Sequence, residues 1–144
     1  MVHDKVLEQI ESDDLAVFAV WMPVLESDNA EAGKKAEPLL SDPRVAHYWD
    51  PDTSLGKLYG RQLTLPRGRE LAWDIYFVYA PGVRWKDELP APTAWMHQLG
   101  RDERLLNGDT LRATILELLG IEDSSAEPGS PWHLKRSVRG LPLF

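Results

Sequence analysis

The stretch Leu71 to Trp85, LAWDIYFVYAPGVRW, decides the fold, because it is the longest apolar run in the chain and contains its own turn. Its first part, Leu71 to Ala80, is rich in aromatic and β-branched residues and has no helical stripe, which predicts a central strand. Pro81 and Gly82 suit the middle of a type II turn, where glycine supplies the positive φ. Val83 to Trp85 is then expected to begin a returning strand.

The composition of the chain excludes several classes of protein. Its 144 residues predict a single domain over residues 1–144, with a core at 15–119 and a C-terminal tail at 121–144. The formal net charge of −7 argues against binding to nucleic acid or to a membrane surface, since both need a basic surface. The absence of cysteine excludes disulfides, thiolate metal sites and cysteine nucleophiles.

The beginning of the chain bears on its compartment. MVHDKVLEQIESDD is charged and has no apolar signal-peptide core. The sequence as written therefore predicts a cytoplasmic protein. A periplasmic or exported protein is the alternative, if a signal peptide has been trimmed away.

The remaining segments predict partners for the hairpin. Leu15 to Trp21 is a continuous apolar run, typical of a strand that is buried on both faces. Arg44 to Asp50 is expected to form a second strand. Pro38 is expected to kink the first long helix, and Asp28 or Asn29 to cap it. Helices are predicted at four places: Lys5 to Ser12, Ala30 to Leu40, Thr53 or Ser54 to Leu63, and Thr110 to Leu119, the last capped by Asp109.

The order of these elements predicts an α/β fold. A strand and a helix alternate twice, and then come a strand, a tight turn, a strand and a last helix. Right-handed crossovers make the first two strands parallel, and the tight turn makes the last two antiparallel. The expected architecture is a four-stranded mixed sheet, with two parallel strands and an antiparallel hairpin, flanked by helices.

This order resembles the thioredoxin-like fold, and two local features are similar as well. Glu37-Pro38-Leu39-Leu40 resembles the proline kink and two aliphatic residues of the thioredoxin active-site helix, and Trp21 ends the first strand as a tryptophan does in thioredoxins. The resemblance covers roughly Leu15 to Leu119. Four segments also resemble those of a little-characterised bacterial group of thioredoxin-like proteins: WMPVLESDNAEA, DPRVAHYWD, AWDIYFVY and PAPTAWMHQL.

The departures from that family decide what the resemblance implies. The Cys-x-x-Cys motif is missing, so thiol–disulfide exchange is impossible. The family's cis-proline before the third strand is also missing, because Leu71 to Asp74 precedes that strand and the nearest proline is Pro66. The resemblance therefore implies a non-redox domain that binds a protein partner or a small ligand. No cofactor, no metal and no catalytic residue is predicted.

Five side chains form the predicted ligand site. In the expected topology the ends of the first two strands and the start of the third meet at one edge of the sheet, beside the start of the first long helix. Ligands bind at such edges, and a helix N-terminus favours anions. Tryptophan at a strand end also serves packing, and aspartate also serves capping, so both interpretations stay open. The predicted residues are Trp21, Asp50, Trp73, Asp74 and His97.

An enzyme or metal-dependent protein is the alternative function. Asp50 and Asp74 would supply acid–base chemistry if they were neighbours, and His97 with either of them or with His47 would make a mixed nitrogen–oxygen metal site. No HxxxH or HExxH spacing supports a metal. Trp95-Met96-His97-Gln98 is the second candidate segment, and a hydrogen-bonded structural histidine is the other interpretation of His97. A partner-docking tail at Trp132 to Phe144 is a third possibility.

Overall fold

A computed structural model describes residues 1–123 as a mixed α/β structure. The predicted tail begins at residue 121, and its part from residue 124 onward, which includes the docking segment Trp132 to Phe144, lies outside the described residues. The elements follow in this order: a π-helical turn at His3–Leu7, β1 at Val17–Trp21, α1 at Ala30–Ala36, a 3₁₀ turn at Glu37–Leu40, β2 at Val45–Trp49, α2 at Ser54–Gln62, a 3₁₀ turn at Pro66–Gly68, β3 at Ile75–Val78, β4 at Ala94–His97 and α3 at Gly108–Leu119.

The strands form two pairs. β1 and β2 are parallel, with Val17 opposite Val45 and Trp21 opposite Trp49. β3 and β4 are antiparallel, with Ile75 opposite His97. Across residues 1–123 these pairs are two separate two-stranded sheets. The predicted parallel pairing is confirmed. An antiparallel pair is present as well, but its second strand is Ala94–His97 and not the predicted Val83 to Trp85, and a union of the two pairs in one four-stranded sheet is not observed in this part of the chain.

The predicted turn is present at Pro81 and Gly82. The Val83 N–H donates to the Ala80 carbonyl over 3.3 Å, and Gly82 has a φ of +83°. The strand expected directly after it, at Val83 to Trp85, is wrong. Residues 81–88 are all exposed and form no strand.

The strand that pairs with β3 is instead β4, which comes later in the chain. The Thr93 N–H donates to the Val78 carbonyl over 2.8 Å and starts the pairing. β3 is apolar on both faces, so its partner must also be apolar on both faces. Trp95 and Met96 of β4 meet that requirement, while the charged segment at 84–88 does not.

The β3–β4 pair separates two apolar clusters. Side chains alternate between the faces of a strand, so one face meets the π-helical turn and α3, and the other meets α2. The first cluster is built on Val6, Ile10, Val78, Leu106, Leu111 and Leu116, with Tyr76 and Met96 packed against it. The second is built on Tyr59, Leu65 and Ala72, with Ile75, Phe77 and Trp95 packed against it.

The β1–β2 pair has one covered face and one open face. Gly33 of α1 lies against the ring of Trp49, where a Cβ would come within 3.2 Å of the indole. On the opposite face Phe18 is 66% exposed and Tyr48 is 53% exposed, with ring centroids 6.3 Å apart. The prediction that the strand at Leu15 to Trp21 is buried on both faces is therefore wrong.

The ends of α1 follow the sequence prediction. The Asn29 side chain caps α1 by accepting from the Ala32 N–H over 2.9 Å. The α-helix ends at Ala36, and the chain tightens into a 3₁₀ turn that contains Pro38. The kink arises because proline cannot supply the N–H that a continuing α-helix needs.

The cap of α3 differs from the prediction. Asn107, rather than Asp109, accepts from the backbone N–H groups of Asp109 and Thr110 over 3.0 Å each. Gly120 ends the helix with a φ of +70°, a conformation that glycine adopts without a steric penalty. The prediction of the C-terminal stop is thus confirmed, and the start lies two residues earlier than expected.

Arg44 holds the first segment of the chain against β2. Its Nη2 donates to the Leu7 carbonyl over 2.6 Å and to Asp42 Oδ2 over 2.7 Å, and its Nη1 donates to the Ile10 carbonyl. The helix predicted at Lys5 to Ser12 is instead a π-helical turn, whose free carbonyl groups this guanidinium satisfies. The hydrogen bond from Arg44 lowers the pKa of Asp42 to about 2.

Replacing Arg44→Gln should lower the free energy of unfolding by roughly 2–3 kcal/mol, because hydrogen bonds of a charged group are lost and buried carbonyls are left unpaired. Urea denaturation measures this change. The advantage of the wild type should be complete above the ordinary aspartate pKa and should shrink as the pH falls toward 2, since Asp42 then becomes protonated in the folded state as well.

Arg61→Gln is the matched control for this experiment, because Arg61 is an exposed residue of α2. We expect it to change the free energy of unfolding by less than about 0.5 kcal/mol. Equal losses in the two variants would show that Arg44 does not hold the segment.

Two glycines let α2 lie directly on the chain that leads into β3. The Ala72 N–H donates to the Gly56 carbonyl over 3.0 Å. A Cβ on Gly60 would stand 1.7 Å from the Glu70 carbonyl oxygen, which no side chain can do. The absence of a side chain at Gly60 therefore sets the distance between α2 and this segment.

Gly60→Ala should destabilise the protein by at least about 2–3 kcal/mol, because the Cβ meets backbone that must move, although alanine otherwise favours a helix. Gly100→Ala is the control, since a Cβ there meets nothing closer than Pro66 at 3.8 Å. Thermal unfolding of both variants by circular dichroism makes the comparison. A Gly60→Ala protein as stable as Gly100→Ala would contradict this packing.

Candidate functional site

The end of the β1–β2 pair brings together two of the predicted residues. The Asp50 N–H donates to the Trp21 carbonyl over 2.8 Å. The Trp21 indole N–H donates to Nδ1 of His47 over 3.2 Å, and the two rings stack with centroids 6.1 Å apart. These contacts make Trp21 and His47 one packed unit on the face that α1 covers.

Asp50 caps α2. Its Oδ1 accepts from the Ser54 N–H over 3.0 Å, and its Oδ2 accepts from the Leu55 N–H over 2.9 Å. Thr53, which stands at the N-cap position, has a φ of +58° and makes no side-chain capping bond. The sequence prediction of a Thr53 or Ser54 cap is therefore wrong, and the contacts of Asp50 agree with the capping interpretation.

Trp73 and Asp74 stand at the start of β3. The Asp74 carbonyl accepts from the Gln98 N–H over 3.0 Å, which places Asp74 beside the end of β4. Its backbone has a φ of +50°, its side chain is exposed, and partial desolvation raises the pKa of its carboxyl group. Trp73 is half-buried.

The five predicted residues thus lie in two groups. Trp21 and Asp50 end the β1–β2 pair, while Trp73, Asp74 and His97 lie at one end of the β3–β4 pair. In the part of the chain that the structure describes, no hydrogen bond, ion pair or ring contact joins the first group to the second.

His97 is fully buried, and every polar atom of the residue is used. Its Nδ1 accepts from the Leu99 N–H over 3.1 Å, so the ring proton lies on Nε2, which points at Asp102 over 3.0 Å and 3.2 Å. Its N–H donates to the Arg104 carbonyl over 2.9 Å, and its carbonyl accepts from the Leu106 N–H over 2.8 Å. His97 therefore organises the loop that follows β4.

A groove lies beside this histidine. It has a volume of about 340 Å³, within the size range of small-molecule sites. Trp95 forms part of it, with the Arg104 guanidinium 4.5 Å above the indole ring and the His97 ring tilted at 5.8 Å. The lining residues are Thr64, Leu65, Pro66, Trp95, His97, Asp102, Glu103 and Arg104.

Two segments of the chain form the walls of this groove, one at residues 64–66 and the other at residues 95–104. Nη1 of Arg69 donates to the carbonyl groups of Pro66 and Leu99, over 3.3 Å and 3.2 Å, and so joins the walls. Arg67, which follows Pro66, has a φ of +60°, an uncommon backbone conformation for a residue with a side chain. The walls are thus fixed by contacts within the chain.

Of the five predicted site residues, His97 alone lines the groove. Sequence reasoning singled out Trp95 as its neighbour but missed the loop residues Asp102, Glu103 and Arg104. The one signal was a run of four charged residues, Arg101 to Arg104, and such runs are common on surfaces. The contact between His97 and Asp102 depends on how the loop closes, which no local pattern reveals.

The groove offers recognition groups. An indole face, a guanidinium and two carboxylates line it, and both ring nitrogens of His97 are hydrogen-bonded within the chain. A histidine in this state has no lone pair free for a metal, and it orients the carboxylate of Asp102. The arrangement suits the binding of a charged or planar group.

A separate cluster has the residue types of a metal site. The potential ligand atoms of His3, Asp4 and Glu8 lie within 4.8 Å of one another near the start of the chain. Nδ1 of His3 already faces Asp4 Oδ1 at 3.2 Å and Glu8 Oε1 at 3.6 Å, and its hydrogen bond lowers the pKa of Asp4. These contacts account for the cluster as an exposed ion-pair network.

No family model, no curated protein and no solved structure matches this chain. None of the helices within residues 1–123 has the length and hydropathy needed to cross a bilayer.

Replacing His97→Leu should lower the free energy of unfolding by roughly 2–3 kcal/mol, because the Leu99 N–H and the Asp102 carboxylate lose their partner. His97→Asn keeps an acceptor in the place of Nδ1 and should recover part of this loss. Hydrogen exchange of the Leu99 amide, measured by NMR, should be fastest in the leucine variant. Equal exchange in both variants would contradict the role of Nδ1.

Proposed function

We propose that this chain is a thioredoxin-like domain without redox activity, and that it works as a binding module through the groove at Trp95. The order of strands and helices, the parallel pairing of β1 with β2 and the antiparallel pairing of β3 with β4 support the first part. The absence of cysteine supports the lack of redox activity, since thiol–disulfide exchange needs a thiolate.

The observation that carries the binding function is the groove itself. Four charged or aromatic groups converge on a space of about 340 Å³, and buried His97 and Leu65 form part of its lining. The lining combines apolar residues with several polar groups, and placed polar groups fix the orientation of a ligand in a binding site. Asp102 is one such fixed group, because His97 and the Arg104 N–H hold its carboxylate.

The rigidity of the groove supports binding as well. Arg69 joins the two walls, and the loop from 98 to 106 is tied to His97 through its backbone and both ring nitrogens. A preformed site loses less conformational entropy when a ligand enters, so more of the contact energy appears as affinity.

An NMR screen of small charged and aromatic fragments against the ¹⁵N-labelled chain tests this function. We expect shift changes to concentrate at the Trp95 indole and the amides of Leu99 and Asp102, and to disappear in Thr64→Trp, whose large side chain fills the groove from an exposed position. Trp85→Leu, at an exposed tryptophan outside the groove, should bind as the wild type does.

Shift changes that gather on another surface, or that survive in Thr64→Trp, would overturn the groove as the binding site. An insulin-reduction assay tests the other half of the proposal. It should show no turnover above the background rate, and clear turnover would contradict a non-redox domain.

A further inference from the structure

We propose that the groove receives a guanidinium or ammonium side chain from a basic peptide segment, and that Arg104 fills this position until the ligand displaces it. The proposal rests on the binding function above and names the chemistry of its ligand.

The stacking of Arg104 on Trp95 shows what the indole face accepts. The guanidinium carbon stands 4.5 Å from the ring centroid, within the range of a cation–π contact, for which tryptophan is the best aromatic partner. Arg104 is exposed, and among the described residues its guanidinium makes no hydrogen bond or ion pair. Nothing else in residues 1–123 therefore fixes the guanidinium over the ring, and a second cation can compete for the same face.

Two carboxylates line the same groove. Asp102 is held by Nε2 of His97 at 3.0 Å and by the Arg104 N–H at 2.9 Å, so its carboxylate is oriented before any ligand arrives. Glu103 also lines the groove, is exposed and makes no ion pair within the described chain. A cation that enters the groove meets an indole face and two carboxylates in its lining, whereas an anion meets two like charges.

The charge of the surrounding domain favours the same ligand. Residues 1–123 hold 13 of the 16 basic and 22 of the 23 acidic residues, so this part of the chain has a formal charge of −9. Such a field attracts cations over long distances and repels anions. A basic peptide segment is therefore attracted to the domain, and the groove selects a cationic side chain over an anionic one.

Titration of the ¹⁵N-labelled chain with acetyl-Gly-Arg-Gly-amide tests this proposal. The matched probe is the same peptide with citrulline, which keeps the shape of arginine but lacks its charge. We expect the arginine peptide to shift the Trp95 indole and the amides of Asp102 and Arg104, and the citrulline peptide to bind at least fivefold more weakly.

Arg104→Gln removes the internal cation and should strengthen binding of the arginine peptide two- to fivefold. Arg84→Gln makes the same change of charge at an exposed residue that does not line the groove and is not next to any lining residue in the sequence, and it should change the affinity less than Arg104→Gln does. Equal strengthening in both variants would mean general charge attraction and would overturn the displacement of Arg104.

Glu103→Gln supplies a second variant that leaves the buried side chains intact. It should weaken binding of the arginine peptide two- to threefold, while Glu88→Gln, at an exposed residue outside the groove, should leave it unchanged. No difference between these variants, or tighter binding of acetyl-Gly-Glu-Gly-amide at the same amides, would overturn the cation site. The binding function would survive either result if the fragment screen still maps to the groove.

Discussion

Four residues of β3 pair with four residues of β4, and this antiparallel pairing places the two apolar clusters on its opposite faces. Because neighbouring side chains alternate between faces, Tyr76 and Met96 reach the cluster around α3, while Phe77 and Trp95 reach the cluster around α2. Neither cluster has another sheet to pack against. A change of register by one residue would exchange the two sets and place side chains of the wrong size on each face.

The same pairing explains why a buried histidine ends β4. His97 stands opposite Ile75, on the face toward α2, where an unpaired polar group would be costly. The following loop supplies partners for both ring nitrogens and both backbone groups. The groove thus results from the hydrogen bonds that His97 needs. The loop that folds back to supply them brings Asp102 and Arg104 next to Trp95.

Local patterns predicted the elements well and their long-range partners less well. The run LAWDIYFVY contains β3, the Pro81-Gly82 turn is present, and Asn29 caps α1 as its side chain suggests. The return strand was misplaced because a tight turn is visible in the sequence, whereas the choice of a pairing partner depends on burial of both faces. The cap of α2 was assigned to Thr53 or Ser54, and capping by Asp50 was only one of two open interpretations, because its carboxylate reaches across Pro51 and an unusual conformation at Thr53.

The candidate site could be predicted only in part. The segment Trp95 to Gln98 is visible in the sequence as a candidate, although not as a strand, and its histidine lines the groove. The other wall comes from residues about thirty positions earlier in the chain, and Arg69 joins the two walls. The composition of the two segments does not predict this contact. The tryptophan and aspartate at the end of β1 and β2 follow strand geometry, and their contacts are a backbone bond, a stacked histidine and a helix cap.

The glycine at position 60 has a consequence beyond stability. Its missing Cβ lets α2 touch the Glu70 carbonyl, and the segment held there begins with the wall formed by Thr64, Leu65 and Pro66. The position of this wall of the groove therefore depends on Gly60, which does not itself line the groove. A substitution that shifts α2 would therefore widen or narrow the groove without changing any residue that lines it.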